Sequence, residues 1–452
     1  MLFLHSLLTY SARMQTILIA NANLVNEGSS RPADVLIKDG RIEKIDSSLT
    51  DQSADKVIDA QGKALLPGMI DCHVHCREPG LEQKADLHSE TRAAVAGGVT
   101  SIMEMPNTKP AAVTNEILEE KFARAATQCV TNYSFHLGAS NSNIDELLAM
   151  DPKTVCGVKL FMGASTGNLL VDRFQALEEI FSKVDVPVSV HCEDTNTIRA
   201  NEQAARERFG DNIPFPEHPN IRSEEACYRS TALAVELATK FDARMHVLHI
   251  TTAKELGLFK QGSADGKKIT AEACPHHLWF SADDYKTKGA LIKCNPAIKT
   301  AADRAALRQA LIDGTIDTVG TDHAPHLWEE KQNPYGSAPS GLPVIQSALV
   351  SLLEFLPVET VAEKTAHNPA RIFKTLDRGF IREGYWADLA LIDTEAPHTV
   401  TKENIEYKCG WSPFEGTTFK SSIAATFVNG QVAYADGQIN DAVRGQRLLF
   451  DR

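Results

Sequence analysis

The sequence predicts a mixed α/β protein: a (β/α)8 TIM-like barrel carrying a small β-sandwich assembled from both ends of the chain. Three observations point there. The chain has 452 residues with 43% hydrophobic and 23% charged residues, the composition of a globular chain and the length of one large barrel plus an accessory unit. Its middle alternates short apolar runs with helix-like segments, and eight such runs can be counted. Its two ends instead read as strands and tight hairpins.

The first residues, MLFLHSLLTYSAR, form a weak hydrophobic run with no basic residue ahead of it, and a signal peptide would also need a small-residue cleavage site. Residues 1–13 read as an extension, since Met14 opens the strand-like TILIANANLV. In ADVLIKDGRIEKID the alternation brackets Asp39-Gly40, and in SSIAATFVNGQVAYADG it brackets Asn429-Gly430. Both dipeptides suit two-residue turns in which each central residue has φ > 0. Neither end can bury a core alone, so residues 1–66 and 385–452 are expected to share one sandwich around a barrel at 67–384.

The eight barrel strands are expected at 65–75, 99–105, 132–137, 156–161, 187–191, 245–250, 268–273 and 315–322. Helices are expected between them at 114–126, at 223–240 with Ser223 as cap and Glu224 and Glu225 at the positive end of its dipole, and at 302–314 with Gly314 just past its end. The net charge of −13 argues against nucleic acid or an anionic membrane as partner, and no run approaches the length that spans a bilayer. A small anionic molecule held by a buried Arg remains compatible with it. Nine cysteines are an odd number at low density, which predicts reduced thiols and a cytoplasmic location.

A barrel of this kind puts its chemistry at the C-terminal ends of its strands. The first run ends in DCHVHCREPG, where alternation turns His73 and His75 to one face and Cys72, Val74 and Cys76 to the other. An isolated His-x-His is more often a pair of packing residues than a metal site. The other strand ends change the balance: His191 closes PVSVH, His249 lies near the end of MHVLHI, Asp322 ends TIDTVGTD, and Lys159 sits inside CGVKLF. Four imidazoles and a carboxylate suit Zn2+ or a similar borderline metal. A lysine in an apolar strand loses its proton readily. It can be a structural cation paired with a carboxylate, or a neutral amine that takes up CO2 as a carbamate able to bridge two metals.

Together HVHCREPG, VKLF, VHCED, VLHIT and GTDHAPH, in this order, resemble the cyclic amidohydrolase branch of the amidohydrolase superfamily, with the dihydroorotase family the nearest pattern. That resemblance implies two zinc ions, one held by His73, His75 and Asp322, the second by His191 and His249, with a carboxylated Lys159 between them. Some members of the family carry Asp at the lysine position and work with one metal. The resemblance also implies reversible hydrolysis of (S)-dihydroorotate to N-carbamoyl-L-aspartate in pyrimidine biosynthesis, with Asp322 as general base and acid, and a homo-oligomer, a dimer by analogy.

Arg77 shares the parity of His75, and its planar fork can bind a carboxylate through two bonds. The allantoinase pattern has Asn at that place, and dihydropyrimidinases lack the Arg. By analogy Asn107, Asn295 and His326 join Arg77 around the substrate. Segment 327–343, rich in Pro and Gly, is either a connector or a source of backbone groups for an imide. His276 and His277 are read as structural or supporting residues, His246 as a surface or packing residue, and His323 is discounted because its parity is opposite to that of Asp322. The rival readings are an allantoinase or hydantoinase-type enzyme, and a non-catalytic scaffold that has lost its metals.

Overall fold

The computed structural model describes residues 15–163 and 169–452, so the expected extension at 1–13 and the start at Met14 lie outside the described residues. Five strands open the chain: β1 (Ile17–Asn26), β2 (Ser29–Lys38), β3 (Arg41–Asp46), β4 (Lys56–Asp59) and β5 (Ala64–Pro67). Eight barrel strands follow: β6 (Met69–Val74), β7 (Val99–Glu104), β8 (Asn132–Gly138), β9 (Gly157–Phe161), β10 (Val188–His191), β11 (Met245–Val247), β12 (Ile269–Ala273) and β13 (Thr318–Val319). The chain ends in β14 (Leu389–Asp393), β15 (His398–Thr399), β16 (Thr418–Phe419), β17 (Ser422–Val428), β18 (Gln431–Ala435) and β19 (Gln438–Ile439).

β6 to β13 form one parallel sheet in sequence order. It closes on itself where Val74 bridges His323 and the His75 amide donates to the His323 carbonyl at 2.8 Å. Buried on both faces, these strands mix apolar residues with buried polar ones such as Asp71, Glu104, Ser134 and His136. The expected helices form at Asn115–Gln128, Glu224–Lys240 and Ala301–Asp313. Thr114 and Ser223 cap the first two, and Gly314 ends the third in the left-handed conformation at φ 78°.

The sandwich draws on both ends, in the order β19-β18-β17-β14-β5-β1-β2-β3, with β4 beside β1. Its core joins Ile19, Val35 and Ile37 to Leu389, Leu391 and Phe427. Asp39-Gly40 and Asn429-Gly430 form the two turns, with φ of 51° and 79°, and 48° and 73°. The apolar run at 65–75 is not one strand. It breaks at Gly68, so that β5 pairs with β1 and β14 of the sandwich while β6 enters the barrel. A Cβ at Gly68 would lie 2.2 Å from the Thr100 side chain, which explains a glycine at the crossing. After β19 the chain returns to the barrel floor: the Tyr133 amide donates to the Gln446 carbonyl, and Leu448 and Phe450 pack with Ile70, Cys72 and Phe373.

Candidate active site

All ten residues singled out in the sequence line one cavity of about 740 Å³ at the C-terminal mouth of the barrel: His73, His75, Arg77, Asn107, Lys159, His191, His249, Asn295, Asp322 and His326. His73 and His75 lie on or just past the end of β6, and both Nε2 atoms face Asp322 Oδ1, at 3.2 and 3.1 Å. Their other nitrogens are engaged. His73 Nδ1 lies 2.8 Å from Glu272 Oε1, and His75 Nδ1 lies 2.7 Å from Asn107 Oδ1. Both partners accept, so each Nδ1 carries a proton. Two imidazole nitrogens and a carboxylate oxygen converge on one point, a group that could hold a metal ion.

His191, at the end of β10, turns Nδ1 toward His249 Nε2 at 2.9 Å and places Nε2 3.0 Å from Glu193 Oε2. Glu193 is fully buried and also pairs with Arg222. The His249 and His73 rings stand 5.3 Å apart between centroids, so the two groups form one cluster. Lys159, in the middle of β9, is buried with its ammonium 4.5 Å from the Phe161 ring. Burial lowers the amine to about 8, against the opposing pull of Asp322 and Glu272. Burial would raise the Asp322 carboxyl, but His73 and His75 outweigh it and hold it well below the ordinary carboxylate range. At His73 burial favours the neutral ring, yet Asp322 and Glu272 lift it to about 9, a second sign that this point attracts positive charge. Imidazoles with a carboxylate are donors that suit a borderline divalent ion.

Strand parity does not account for every member. β6 ends at Val74, β11 at Val247 and β13 at Val319, so Arg77, His249 and Asp322 lie beyond regular strand. Each is left-handed, at φ of 69°, 41° and 47°, and it is these turns that bring the three side chains to the cavity. Arg77 is buried, with Nε donating to the Pro325 carbonyl at 3.0 Å and Nη2 3.1 Å from His326 Nε2. Asn107, expected around the substrate, lines the cavity but turns its Oδ1 to His75. Asn295 Oδ1 is buried with no hydrogen-bond partner among the described residues, leaving an acceptor in the cavity wall.

Segment 327–343 borders the cavity. It holds a short helix at Trp328–Lys331, and its Ser340 and Gly341 face the cavity. The Lys331 ammonium donates to the carbonyls of Pro339, Gly341 and Lys293, which pins the segment in place. Gly341 is required, since a Cβ there would lie 2.5 Å from the Ala324 carbonyl oxygen. His323, discounted in the sequence for its parity opposite to Asp322, bonds Glu90 through Nε2 and accepts the Val344 amide at Nδ1. His246 packs inside the barrel against Thr270, and the buried His277 bonds the Pro296 carbonyl.

Sequence reasoning missed Glu272, Glu193 and Lys84. Glu272 lies in the run assigned to the seventh barrel strand, at a position facing the barrel interior, and a carboxylate there was the available signal. Glu193 falls within the motif VHCED. Lys84 had no signal, because it lies in an irregular loop and reaches the cavity only in three dimensions.

Comparison with known proteins matches residues 64–433 to the amidohydrolase family. The dihydroorotase of Methanosarcina acetivorans is 32% identical over 446 residues, covering 94% of each chain. The allantoinase of Bacillus velezensis is 31% identical over 434 residues, covering 93% of this chain and 94% of its own. Among solved structures, the L-hydantoinase (dihydropyrimidinase) of Arthrobacter aurescens superposes with a TM-score of 0.89 at 25% identity, covering 94% of this chain and 98% of its own.

Proposed function

The chain belongs to the amidohydrolase family, and from that premise we propose that it is a metal-dependent cyclic amidohydrolase whose substrate is (S)-dihydroorotate, opened reversibly to N-carbamoyl-L-aspartate. The observation that carries the choice is Arg77: a buried guanidinium shares the cavity with the histidine cluster, as a cyclic imide bearing a carboxylate requires. The dihydroorotases among its relatives support the same substrate.

His73, His75 and Asp322 would hold one zinc ion and His191 and His249 a second, with Lys159 as a carbamate between them. When bound, such ions polarise a carbonyl and acidify water at neutral pH. The protein's own contribution is positional and protolytic. Asp322, ionised at neutral pH, accepts a proton from the attacking water and returns it to the ring nitrogen as the C–N bond breaks. In the reverse direction the protonated Asp322 assists loss of water during cyclisation. Arg77, with His326 beside it, orients the ring by its carboxylate. Asn295 Oδ1, Ser340 and Gly341 offer polar groups around the rest of the ring.

A second reading is an allantoinase or hydantoinase-type enzyme, favoured by the allantoinase relative and the hydantoinase superposition. Assay of dihydroorotate, allantoin and dihydrouracil side by side, with metal analysis of the same sample, separates the readings. Turnover of dihydroorotate in large excess is expected, and preference for either uncharged substrate would overturn it. Protein without metal and without turnover would revive the scaffold reading. Arg77→Ala should lose at least about a hundredfold in kcat/KM on dihydroorotate while sparing dihydrouracil. Equal losses on both would remove Arg77 as the carboxylate anchor.

A further inference from the structure

Lys84 lies in the loop after β6, at the same end of the cavity as Arg77 and His326. Its ammonium is 3.0 Å from His326 Nδ1 and 2.8 Å from Glu330 Oε1. An ammonium only donates, so Nδ1 must accept, and a neutral imidazole then carries its single proton on Nε2. Nε2 faces two groups, the Ser340 carbonyl at 3.0 Å and Arg77 Nη2 at 3.1 Å. The carbonyl can only accept and the guanidinium can only donate. With Lys84 on Nδ1, the Nε2 proton goes to Ser340, and no bond can form between Nε2 and Arg77.

Removal of the Lys84 donor opens the other tautomer. Its Nδ1 proton would face Glu330 Oε2, now 3.6 Å away, and Nε2 would accept from Arg77. That bond would tie up the guanidinium. Burial, together with Arg77 and Lys84, holds the His326 ring well below its ordinary value, so the ring is neutral and its tautomer is a real choice. Charge at this end is also unbalanced. Arg77, Lys84 and Lys331 surround it, Lys331 is engaged with backbone carbonyls, and Glu330 is the one carboxylate that pairs with the Lys84–His326 group among the described residues.

We infer that Lys84 is a specificity-determining positioning residue: by occupying His326 Nδ1 it keeps Arg77 Nη2 free for a substrate carboxylate, and it adds a second cation to the anion-binding end of the cavity. The inference rests on the anionic-substrate reading above and extends it to a residue outside the histidine cluster.

Lys84→Met and Lys84→Arg in the metal-loaded enzyme test it. Long-range 1H–15N spectra of histidine-labelled protein, with the His326 signals identified by their loss in His326→Asn, should show the Nε2–H tautomer in the wild type and the Nδ1–H tautomer in Lys84→Met. The Met variant should bind orotate about tenfold to a hundredfold more weakly and raise KM for dihydroorotate by a similar factor. It should bind uracil, the same flat ring without the carboxylate, as the wild type does. Lys84→Arg should restore most of the loss. An unchanged tautomer, or equal weakening toward orotate and uracil, would overturn the inference. A wild type inert on dihydroorotate would instead sink the substrate reading, and the spectra would still decide the role of Lys84.

Discussion

One carboxylate oxygen of Asp322 lies within 3.2 Å of a ring nitrogen of both His73 and His75. Its carboxyl stays ionised because those rings outweigh burial, so it can begin the reaction as a base. Asp322→Asn should therefore lower kcat by about 10²–10⁴ while most of the metal stays bound. Wild-type rates in that variant would remove Asp322 from the mechanism. Lys159 makes a different argument. Burial brings its amine to about 8, so roughly a tenth is neutral at pH 7 and can react with CO2. Lys159→Ala should lose metal and activity, with partial rescue by short-chain carboxylic acids that substitute for the carbamate. Unchanged metal content would count against a bridging role.

The strand ends are where elements meet chemistry. β12 supplies Glu272, which orients His73 through Nδ1 and accepts from the His249 amide at 3.3 Å. The neighbouring β13 makes room for that carboxylate with Gly320 just past its end. A Cβ at Gly320 would lie 2.1 Å from Glu272 Oε2 and 3.1 Å from His73 Cβ. Gly320→Ala must displace the carboxylate and release His73, at a cost of about 10–100-fold in zinc affinity or kcat. Titration of stripped protein with zinc measures it, and wild-type affinity together with wild-type kcat would show that Glu272 does not govern His73. Far-UV circular dichroism should stay unchanged, since Gly320 lies outside the regular strand.

At the scale of the molecule, the sandwich and the barrel share buried contacts, two of them through Asp388 and the C-terminal tail. Buried Asp388 accepts from the Asn429 amide at 2.7 Å and from Asn132 Nδ2 of β8 at 3.0 Å, and it pairs with Arg378. The final residues cross to the barrel floor, where Leu448 and Phe450 are almost fully buried and Arg452 donates to the Phe373 and Cys156 carbonyls. Deleting residues 447–452 removes two buried apolar side chains and should cost about 3–6 kcal/mol. Urea unfolding measures this, and an unchanged midpoint would show that the tail does not hold the floor. No helix among the described residues is long and apolar enough to cross a membrane.

The sequence by itself determined the eight barrel strands, the two Asp-Gly and Asn-Gly hairpins, the capped helices and the ten side chains that share one cavity. Those signals are local: alternation, helix caps and turn dipeptides act over a few residues, and strand C-termini in a barrel converge wherever they lie in the chain. Only the tertiary structure decided the break at Gly68, the left-handed turns under Arg77, His249 and Asp322, and the hydrogen-bond partners that select each imidazole's tautomer. Glu272, Glu193 and Lys84 stayed hidden for the same physical reason. Their roles depend on atoms brought within about 3 Å by folding, and no local pattern carries that distance.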